Sequence, residues 1–398
     1  MNGLPVGGHR QCRPCLQPHA NSQMDPFTHA LTGAVLARSL TRRADPPNPA
    51  GRPGDSLAAW QVLLVITVAA VFPDIDAVFG FVSDIATLTD RRGITHSAVM
   101  LPLWALLLGW VFARLLRRQT RFWALAAYAA IGIGLHLVFD LINAFGVMLL
   151  APFSWQRFDW GMTFIIDLGL TGMLLAGLLV TLLLGRRPMA RRMALLTCAL
   201  VVLYLGVQLA AKSVATDLAR GYARANSLVT DVAIALPRPL SPFHWTLVVQ
   251  TPSGYRYAHV DVARRDIPVA SADDGFFARI QNVFVPVGAA SWMEVSRFGT
   301  AGASQAVGAA EVRALWDDPA FAFYREFANL PALFSTSVQQ GRPCATFQDL
   351  RFVSPGREAQ PFRYGICRAA IPGAKPFVYT LDDDGREVGI NRTTRVLF

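Results

Sequence analysis

The sequence predicts a membrane α-helical bundle of about five to six helices followed by a small β-rich domain. Its 398 residues are 53% hydrophobic and only 16% charged, whereas a soluble globular protein has about 25% charged residues. The first 211 residues hold several long apolar runs and contain no Glu and no Lys. From about Lys212 the pattern changes to short alternating segments bounded by Pro, Gly and Asp, which is typical of strands.

Apolar runs account for the predicted helices, since a bilayer crossing takes about 20 apolar residues. The runs are Leu57–Phe72, Ala98–Leu116, Phe122–Val138, Met162–Gly185 and Met193–Ala211. A shorter helix is expected from Pro26 to Leu40, because Asp25 suits the cap and Pro26 suits the first turn. At 1.5 Å per residue this helix is about 22 Å long, so we expect a short or half-inserted helix.

Arginine clusters set the predicted topology. The net charge of +10 does not indicate nucleic-acid binding, because the arginines of the first half lie between apolar runs rather than on one basic face. Connections that are rich in arginine alternate with connections that contain little of it. The rich ones hold Arg38, Arg42, Arg43 and Arg52, then Arg114, Arg117, Arg118 and Arg121, then Arg186, Arg187, Arg191 and Arg192. The positive-inside rule places these arginine-rich connections in the cytoplasm. Residues 212–398 are then extracytoplasmic.

The chain divides into three predicted parts. Residues 1–23 form a disordered or spurious leader, residues 24–211 a transmembrane helical metal-site domain, and residues 212–398 a β-rich extracytoplasmic domain. The leader lacks the apolar core of a signal peptide, and its His9, Cys12, Cys15 and His19 resemble a zinc knuckle only superficially.

Short strands and one helix are expected in the last part. The candidate strands are Asp231–Leu236, His244–Gln250, Tyr255–Val262, Phe347–Phe352, Pro361–Ile366 and Lys375–Leu381, and the helix is Glu311–Asn329. Cys344 and Cys367 face each other if the strands beside them pair antiparallel. An extracytoplasmic location permits a disulfide there, and two buried free thiols are the alternative.

Ionisable side chains gather at one end of the predicted helices. His29, Asp74, Asp76, His96, His136, Asp140 and Asp167 all fall at the ends that the arginine pattern places outside. Such groups are costly at membrane depth and point to function. Because the topology rests on arginine alone, this clustering is an independent observation.

Imidazole and carboxylate groups in this pattern favour a divalent metal. His136 and Asp140 are four residues apart, so they lie on one face of a helix. Asp74 and Asp76 follow Pro73, where the helix is expected to have ended, so both carboxylates can turn toward one point. Such ligands suit Zn²⁺, and also Mn²⁺ or Fe²⁺. Taken singly, each residue is more often a core pair, a turn or a packing residue, and Asp167 could merely cap its helix at the outer interface. The common depth of these residues favours the metal site.

Ordered motifs also carry a family resemblance. They are MDPFTHALTG, FPDID, RRGITHS, GLHLVFDLINAFG, APFS and FIIDLG. In these the sequence resembles the YdjM/YbcI-like bacterial inner-membrane proteins, described as membrane-bound metal-dependent hydrolases. The resemblance covers about residues 24–172. It extends through SPFHW, YREFANLP and DLRF in the β-rich part.

A more distant similarity links the chain to zinc-dependent phospholipases C and related single-strand nucleases. These place an Asp, a His and an HxxxD pair around one zinc, with an earlier His at a neighbouring zinc. Matched by their order along the chain, these zinc ligands correspond to Asp74 or Asp76, His96, His136 with Asp140, and His29. The chain departs from the pattern because it has no His between His136 and His244 and no Glu before Glu294. The similarity therefore implies one or two metals rather than three.

These observations together predict an inner-membrane metal-dependent hydrolase. The metal ligands would be His29, Asp74, Asp76, His96, His136 and Asp140. A metal-activated water would be the nucleophile, with Asp74, Asp76 or Asp167 as base or orienting group. Arg92 would hold an anionic group such as a phosphate, the alternative being an interfacial anchor. A site at the membrane surface favours a membrane lipid or a lipid-linked or phosphorylated substrate.

Two other functions use the same residues. Carboxylates and imidazoles can form a proton or ion path across a membrane, although the sequence has no internal repeat of the transporter kind. The metal could also be structural, with the β-rich domain binding a protein partner; full coordination by protein groups would favour this reading.

Overall fold

The computed structural model describes residues 26–41, 57–81, 84–185, 187–269, 271, 273–299, 306–357, 360–371, 373–382 and 384–390. The predictions for the leader, for the Asp25 cap and for Arg42, Arg43, Arg52 and Arg186 fall outside these residues. Within them, an apolar helical part is followed by a β-rich part with two sheets.

The helices follow the predicted apolar runs. They are α1 (Pro26–Leu40), α2 (Ala59–Val71), α3 (Asp84–Thr89), α4 (Leu101–Leu115), α5 (Phe122–Leu141), α6 (Leu168–Leu183) and α7 (Pro188–Ala225). Among the described residues, three stretches are long and apolar enough to cross a membrane: Ala59–Val78, Gln119–Leu141 and Pro188–Ala225. The shorter α4 and α6 are also apolar. The bounds of α1 are those predicted.

One predicted helix limit and one predicted backbone conformation are wrong at the site end of the bundle. The run from Met162 becomes helical only at Leu168, because the Asp167 side chain accepts the Leu170 amide and caps α6 there. The α-helix α2 does end before Pro73, but the chain continues as a 3-10 helix over Phe72–Phe81. Asp74 and Asp76 therefore lie on helical rather than irregular backbone.

The last helix continues well past Ala211. α7 has 38 residues, which is about 57 Å at 1.5 Å per residue. Its end is held by alanines four residues apart, which pack against Trp245 and Leu247 of the first sheet; they are Ala211, Ala215, Ala219 and Ala223. The end of α7 is thus part of the β-rich region, and the predicted boundary at residue 211 falls inside one helix.

The β-rich region contains two five-stranded sheets. The first has β1 (Ala233–Pro237), β2 (His244–Gln250), β3 (Gly254–Asp261), β4 (Val285–Pro286) and β5 (Met293–Ser296), and the second has β6 (Pro331–Gln339), β7 (Arg342–Asp349), β8 (Tyr364–Cys367), β9 (Phe377–Leu381) and β10 (Glu387–Gly389). The short helices are α8 (Phe276–Asn282), α9 (Ala309–Asp317) and α10 (Ala322–Phe327). The second sheet is an antiparallel meander.

Several predictions for this region need correction. The stretch Glu311–Asn329 is broken at Pro319, because proline cannot donate the helical hydrogen bond and disfavours helix in the residue before it. The predicted strand Phe347–Phe352 is instead the end of β7, which starts at Arg342. By contrast, β7 and β8 pair antiparallel with Cys344 opposite Cys367, and the predicted disulfide is present.

The two parts of the chain share one apolar core. Leu88 and Phe145 from the helical part are buried in the same cluster as Phe327, Phe347 and other aromatics of the β-rich region. The β-rich region is therefore packed directly on the loops that carry the ionisable residues.

Candidate metal centre

Four segments bring the predicted ligands together. His29 comes from the first turns of α1, and Asp74 and Asp76 come from the 3-10 segment that follows α2. His96 ends a short 3-10 turn, while His136 and Asp140 lie on the last turns of α5. All six lie within overlapping groups whose potential ligand atoms are within 4.8 Å of one another.

The Asp140 carboxylate lies at the centre of three imidazoles. Its Oδ1 is 3.3 Å from His29 Nε2. Its Oδ2 is 3.2 Å from His96 Nε2 and 3.4 Å from His136 Nε2. The helical spacing of His136 and Asp140 therefore puts both groups on one face, as the sequence predicts.

Asp74 approaches the same point from the other side. Its Oδ1 is 3.8 Å from His96 Nε2 and 4.0 Å from His136 Nε2. The His29 and His136 rings are stacked with centroids 3.8 Å apart, so His29 also faces this point. Four elements thus present nitrogen and oxygen atoms to one small volume.

The outer nitrogens of two imidazoles already have polar partners in the protein. His136 Nδ1 is 2.7 Å from the Ala70 carbonyl oxygen, an acceptor, so this nitrogen must carry the proton. His96 Nδ1 lies 3.1 Å from Asp76 Oδ2. An imidazole whose one nitrogen donates to a carbonyl or carboxylate presents the lone pair of its other nitrogen, which is the usual arrangement of a metal-binding His.

The inner nitrogens of these two imidazoles face each other. His136 Nε2 and His96 Nε2 are 3.0 Å apart. Two neutral imidazoles with their protons on Nδ1 would place two lone pairs together. A proton or a metal cation between them removes this repulsion.

Buried oxygens without a partner give the test of whether a cation fits. Among the described residues, both carboxylate oxygens of Asp74, one of Asp76 and Oδ2 of Asp140 are buried and accept no hydrogen bond. Buried polar atoms in native proteins are nearly always satisfied. Imidazole nitrogens and carboxylate oxygens are the donor set that Zn²⁺, Mn²⁺ and Fe²⁺ take, so the residues present fit a divalent cation.

Arg92 has protein partners inside the cluster. It is 1% exposed, and its guanidinium donates to Asp140 Oδ1 at 2.8 Å and to Asn143 Oδ1 at 2.9 Å. Its φ of 57° is unusual for a residue with a side chain, and its amide donates to Asp76 Oδ2 at 2.8 Å. This burial argues against the alternative of an interfacial anchor. The phosphate-holding role stays a prediction.

Local charges change the pKa values of groups beside the bundle. Burial opposes a charge on His96, but the Asp76 and Asp140 carboxylates outweigh it and raise its pKa to about 9. Burial lowers the pKa of the Arg157 guanidinium to about 9. The carboxylates around His96 thus favour positive charge on that imidazole, whereas burial disfavours it at Arg157.

Asp167 lies next to the cluster but is used by other groups. Its carboxylate caps α6 and accepts hydrogen bonds from the Tyr204 hydroxyl at 2.9 Å and from Gln208 Nε2 at 2.6 Å. It also lines a polar cavity of about 30 Å³ together with His29, Arg92 and Asp140. A water needs about 10–15 Å³ of such volume, so this cavity has room for one or two. The catalytic role of Asp167 stays a prediction.

Sequence reasoning missed the residues that support Arg92. Asn143 accepts from Arg92 and also from the Phe145 amide at 2.9 Å. The Phe145 ring lies 4.8 Å from the Arg92 guanidinium, and Arg351 of the β-rich region donates to the Phe145 carbonyl at 3.4 Å. The GLHLVFDLINAFG and DLRF motifs contain Asn143, Phe145 and Arg351. The motifs therefore point to these residues, but the sequence predicts no role for them.

The buried His and Asp cluster lies at one end of an apolar helical bundle. Together they indicate a membrane protein with a candidate metal centre. Residues 24–215 match the family model described as YdjM inner membrane protein, as the motif resemblance predicts for that part of the chain. The match contains all six candidate ligands, and DLRF lies beyond it. The similarity to zinc-dependent phospholipases C stays a prediction.

One curated relative is similar to part of the chain. The protein named "Uncharacterized protein YfhP", from Bacillus subtilis (strain 168), is 28% identical over 131 residues, or 33% of this chain. The match covers 38% of the length of that protein. No solved structure matches the chain.

Proposed function

We propose that this protein is an inner-membrane hydrolase that depends on a divalent metal ion and cleaves a phosphoester. The observation that carries the proposal is the set of buried, unsatisfied carboxylate oxygens beside the inward nitrogens of His96 and His136. His29, Asp74, Asp76, His96, His136 and Asp140 would hold one or two ions, with zinc first and manganese or iron as alternatives. A bound ion would lower the pKa of a water molecule and polarise a phosphoryl oxygen.

The protein groups would position rather than supply the nucleophile. The Ala70 carbonyl and Asp76 orient His136 and His96 through their outer nitrogens. Asp167 borders the small polar cavity beside His29 and would orient a water there or take its proton. Arg92, held by Asp140, would balance the charge of the carboxylates and face an anionic substrate group.

We also infer that the β-rich region lies outside the cytoplasm. Arginines of two predicted cytoplasmic connections lie together at the end of the bundle away from the cluster, where Arg38 donates to the Gly185 carbonyl at 2.9 Å and Arg191 to the Ser39 carbonyl at 3.0 Å. The Cys344–Cys367 disulfide also supports an oxidising location for that region.

Metal content tests the proposal directly. Full-length protein would be purified in detergent and its metals counted by plasma mass spectrometry for the wild type, His136→Ala and His244→Ala. His244 belongs to the β-rich region, so it is the matched control. We expect one or two ions per chain in the wild type and His244→Ala and a loss in His136→Ala.

A phosphoester screen would then test the reaction. Activity should require the bound metal and disappear in His136→Ala. Absence of metal from the wild type would overturn the proposal, and proton flux dependent on Asp140 would become the next test. Stoichiometric metal with no turnover of any phosphoester would favour a structural ion instead.

A further inference from the structure

A broad groove lies beside the candidate metal centre. Its volume is about 740 Å³, within the range of ligand pockets. Its walls are mostly apolar and include Val68, Val71, Phe72 and Ile75. Asp74 and Arg91 also line it. The groove therefore joins an apolar surface to the carboxylate of a predicted metal ligand.

The walls belong to a stretch that can cross a membrane. Val68 and Ile75 are 42% and 59% exposed, and both lie within the apolar span Ala59–Val78. Exposed apolar side chains on such a span face hydrocarbon rather than water. A hydrocarbon chain can enter this groove sideways from the bilayer without passing through water.

The polar end of the groove contains an acid that accepts no hydrogen bond from the described residues. The Asp74 side chain is 8% exposed, and neither of its oxygens accepts a hydrogen bond among the described residues. Its Oδ1 lies 3.8 Å from His96 Nε2. Arg91 adds a positive charge to the same lining. A ligand in the groove would thus have its hydrocarbon part along α2 and its polar head at the candidate metal centre.

We propose that the groove binds an anionic membrane phospholipid, with an acyl chain along Val68 and Val71 and its phosphate at Asp74 and Arg91. The inference rests on the proposed function, because a divalent cation must offset the Asp74 charge for a phosphate to approach. With that cation in place, the charge of the polar end suits a phosphate. The phospholipid is then the substrate class that this site receives.

Photo-crosslinking tests this inference without measuring turnover. Full-length protein in nanodiscs would receive phosphatidic acid with a diazirine on the acyl chain, and labelled peptides would be mapped by mass spectrometry. The variant Val68→Trp narrows the groove. The control Leu64→Trp places the same ring one turn earlier on α2, on an exposed position that does not line the groove.

We expect labelling of residues 67–77 in the wild type and Leu64→Trp, with a several-fold loss in Val68→Trp. A phosphatidylcholine probe of the same chain should label this segment less. Equal labelling by both probes, or labelling that Val68→Trp does not reduce, would overturn the inference. The groove would then be occupied by bulk lipid, a chain segment or a partner. Metal counts on the same samples separate the two proposals. Bound metal without groove labelling would refute phospholipid binding and leave the proposed hydrolase with a water-soluble phosphoester as its substrate.

Discussion

Asp76 illustrates how one side chain of the candidate centre can also orient another. It accepts hydrogen bonds from the Arg92 amide at 2.8 Å and from the Thr95 hydroxyl at 3.1 Å, and it faces His96 Nδ1. These contacts fix the orientation of the His96 ring. Such a carboxylate behind an imidazole is typical of metal sites and usually matters for affinity.

Replacing Asp76 by Asn keeps its size and removes its charge. We expect Asp76→Asn to weaken metal binding by about 10–100-fold, because the His96 ring loses its carboxylate partner. Competition with a chelator of known affinity measures this. Asp167→Asn is the control, since Asp167 belongs to none of the potential metal-binding groups. Unchanged affinity in Asp76→Asn would contradict the role given to Asp76.

A second residue-scale effect concerns acid stability of the β-rich region. Burial, reinforced by the nearby Arg238, lowers the pKa of His259 to about 3. The folded state therefore keeps His259 neutral, while the unfolded chain takes up a proton below its ordinary pKa of about 6.5. This difference removes stability as the pH falls from about 6.5 toward 3.

Replacing His259 should reduce that acid sensitivity. We expect thermal midpoints of the wild type to fall between pH 7 and pH 4.5 more steeply than those of His259→Gln, because the variant has no proton to gain there. Differential scanning fluorimetry across this pH range would measure both slopes. Parallel slopes would show that His259 does not contribute.

At the scale of elements, close packing of α2 and α5 places His136 against Ala70. A Cβ atom at Gly132 would lie 2.6 Å from the Ile66 carbonyl oxygen and 2.7 Å from Ala69 Cβ, so only glycine fits without movement. His136 is one turn further along α5, and its Nδ1 donates to the Ala70 carbonyl across this helix contact. The helix contact therefore sets the position of one candidate ligand.

Gly132→Ala should disturb both stability and the metal centre. The methyl group must push α2 away from α5, so we expect a lower thermal midpoint and weaker metal binding. Gly134→Ala is the matched control on the same helix, where the nearest atom to a new Cβ is 3.8 Å away. That variant should be neutral or slightly stabilising, by up to about 1 kcal/mol. Equal behaviour of the two variants would refute the packing argument.

At the scale of the whole molecule, the β-rich region supports the metal centre through Arg351. This residue is 5% exposed, pairs with Asp349 at 2.8 Å, and donates to the Phe327 carbonyl at 2.7 Å. It also reaches the Ala144 and Phe145 carbonyls of the helical part. Phe145 in turn packs on Arg92, which holds Asp140.

Breaking this connection should affect both parts of the protein. We expect Arg351→Gln to cost about 3–5 kcal/mol, because it leaves a buried Asp349 without its cation. Metal affinity should fall as well, since Phe145 and Arg92 lose their support. Arg386→Gln removes an exposed pair with Asp384 and should cost at most about 1 kcal/mol. Chemical unfolding and chelator competition measure the two effects, and an unchanged metal affinity in a folded Arg351→Gln would contradict the support.

The sequence predicts the helices and the ligand cluster better than the sheets. His and Asp are conspicuous at the ends of apolar runs, and a four-residue spacing fixes His136 beside Asp140. The strand β6 was missed because its pattern alternates weakly, although the positive φ angles of Gln340 and Gly341 give the two-residue turn that joins it to β7. The Arg92–Asp140 pair and the Arg351 contacts join distant residues, which local pattern does not reveal.

The contact between Arg351 and Ala144 spans 207 positions of the chain, and this has a consequence for biosynthesis. Every candidate ligand is synthesised before residue 141, while the arginine that supports them leaves the ribosome far later. If residues 233–390 fold outside the cytoplasm, the centre reaches its final form only after translocation. We then expect the ion to be acquired from the extracytoplasmic supply, so the metal found in the protein would depend on the growth medium more than on cytoplasmic metal homeostasis.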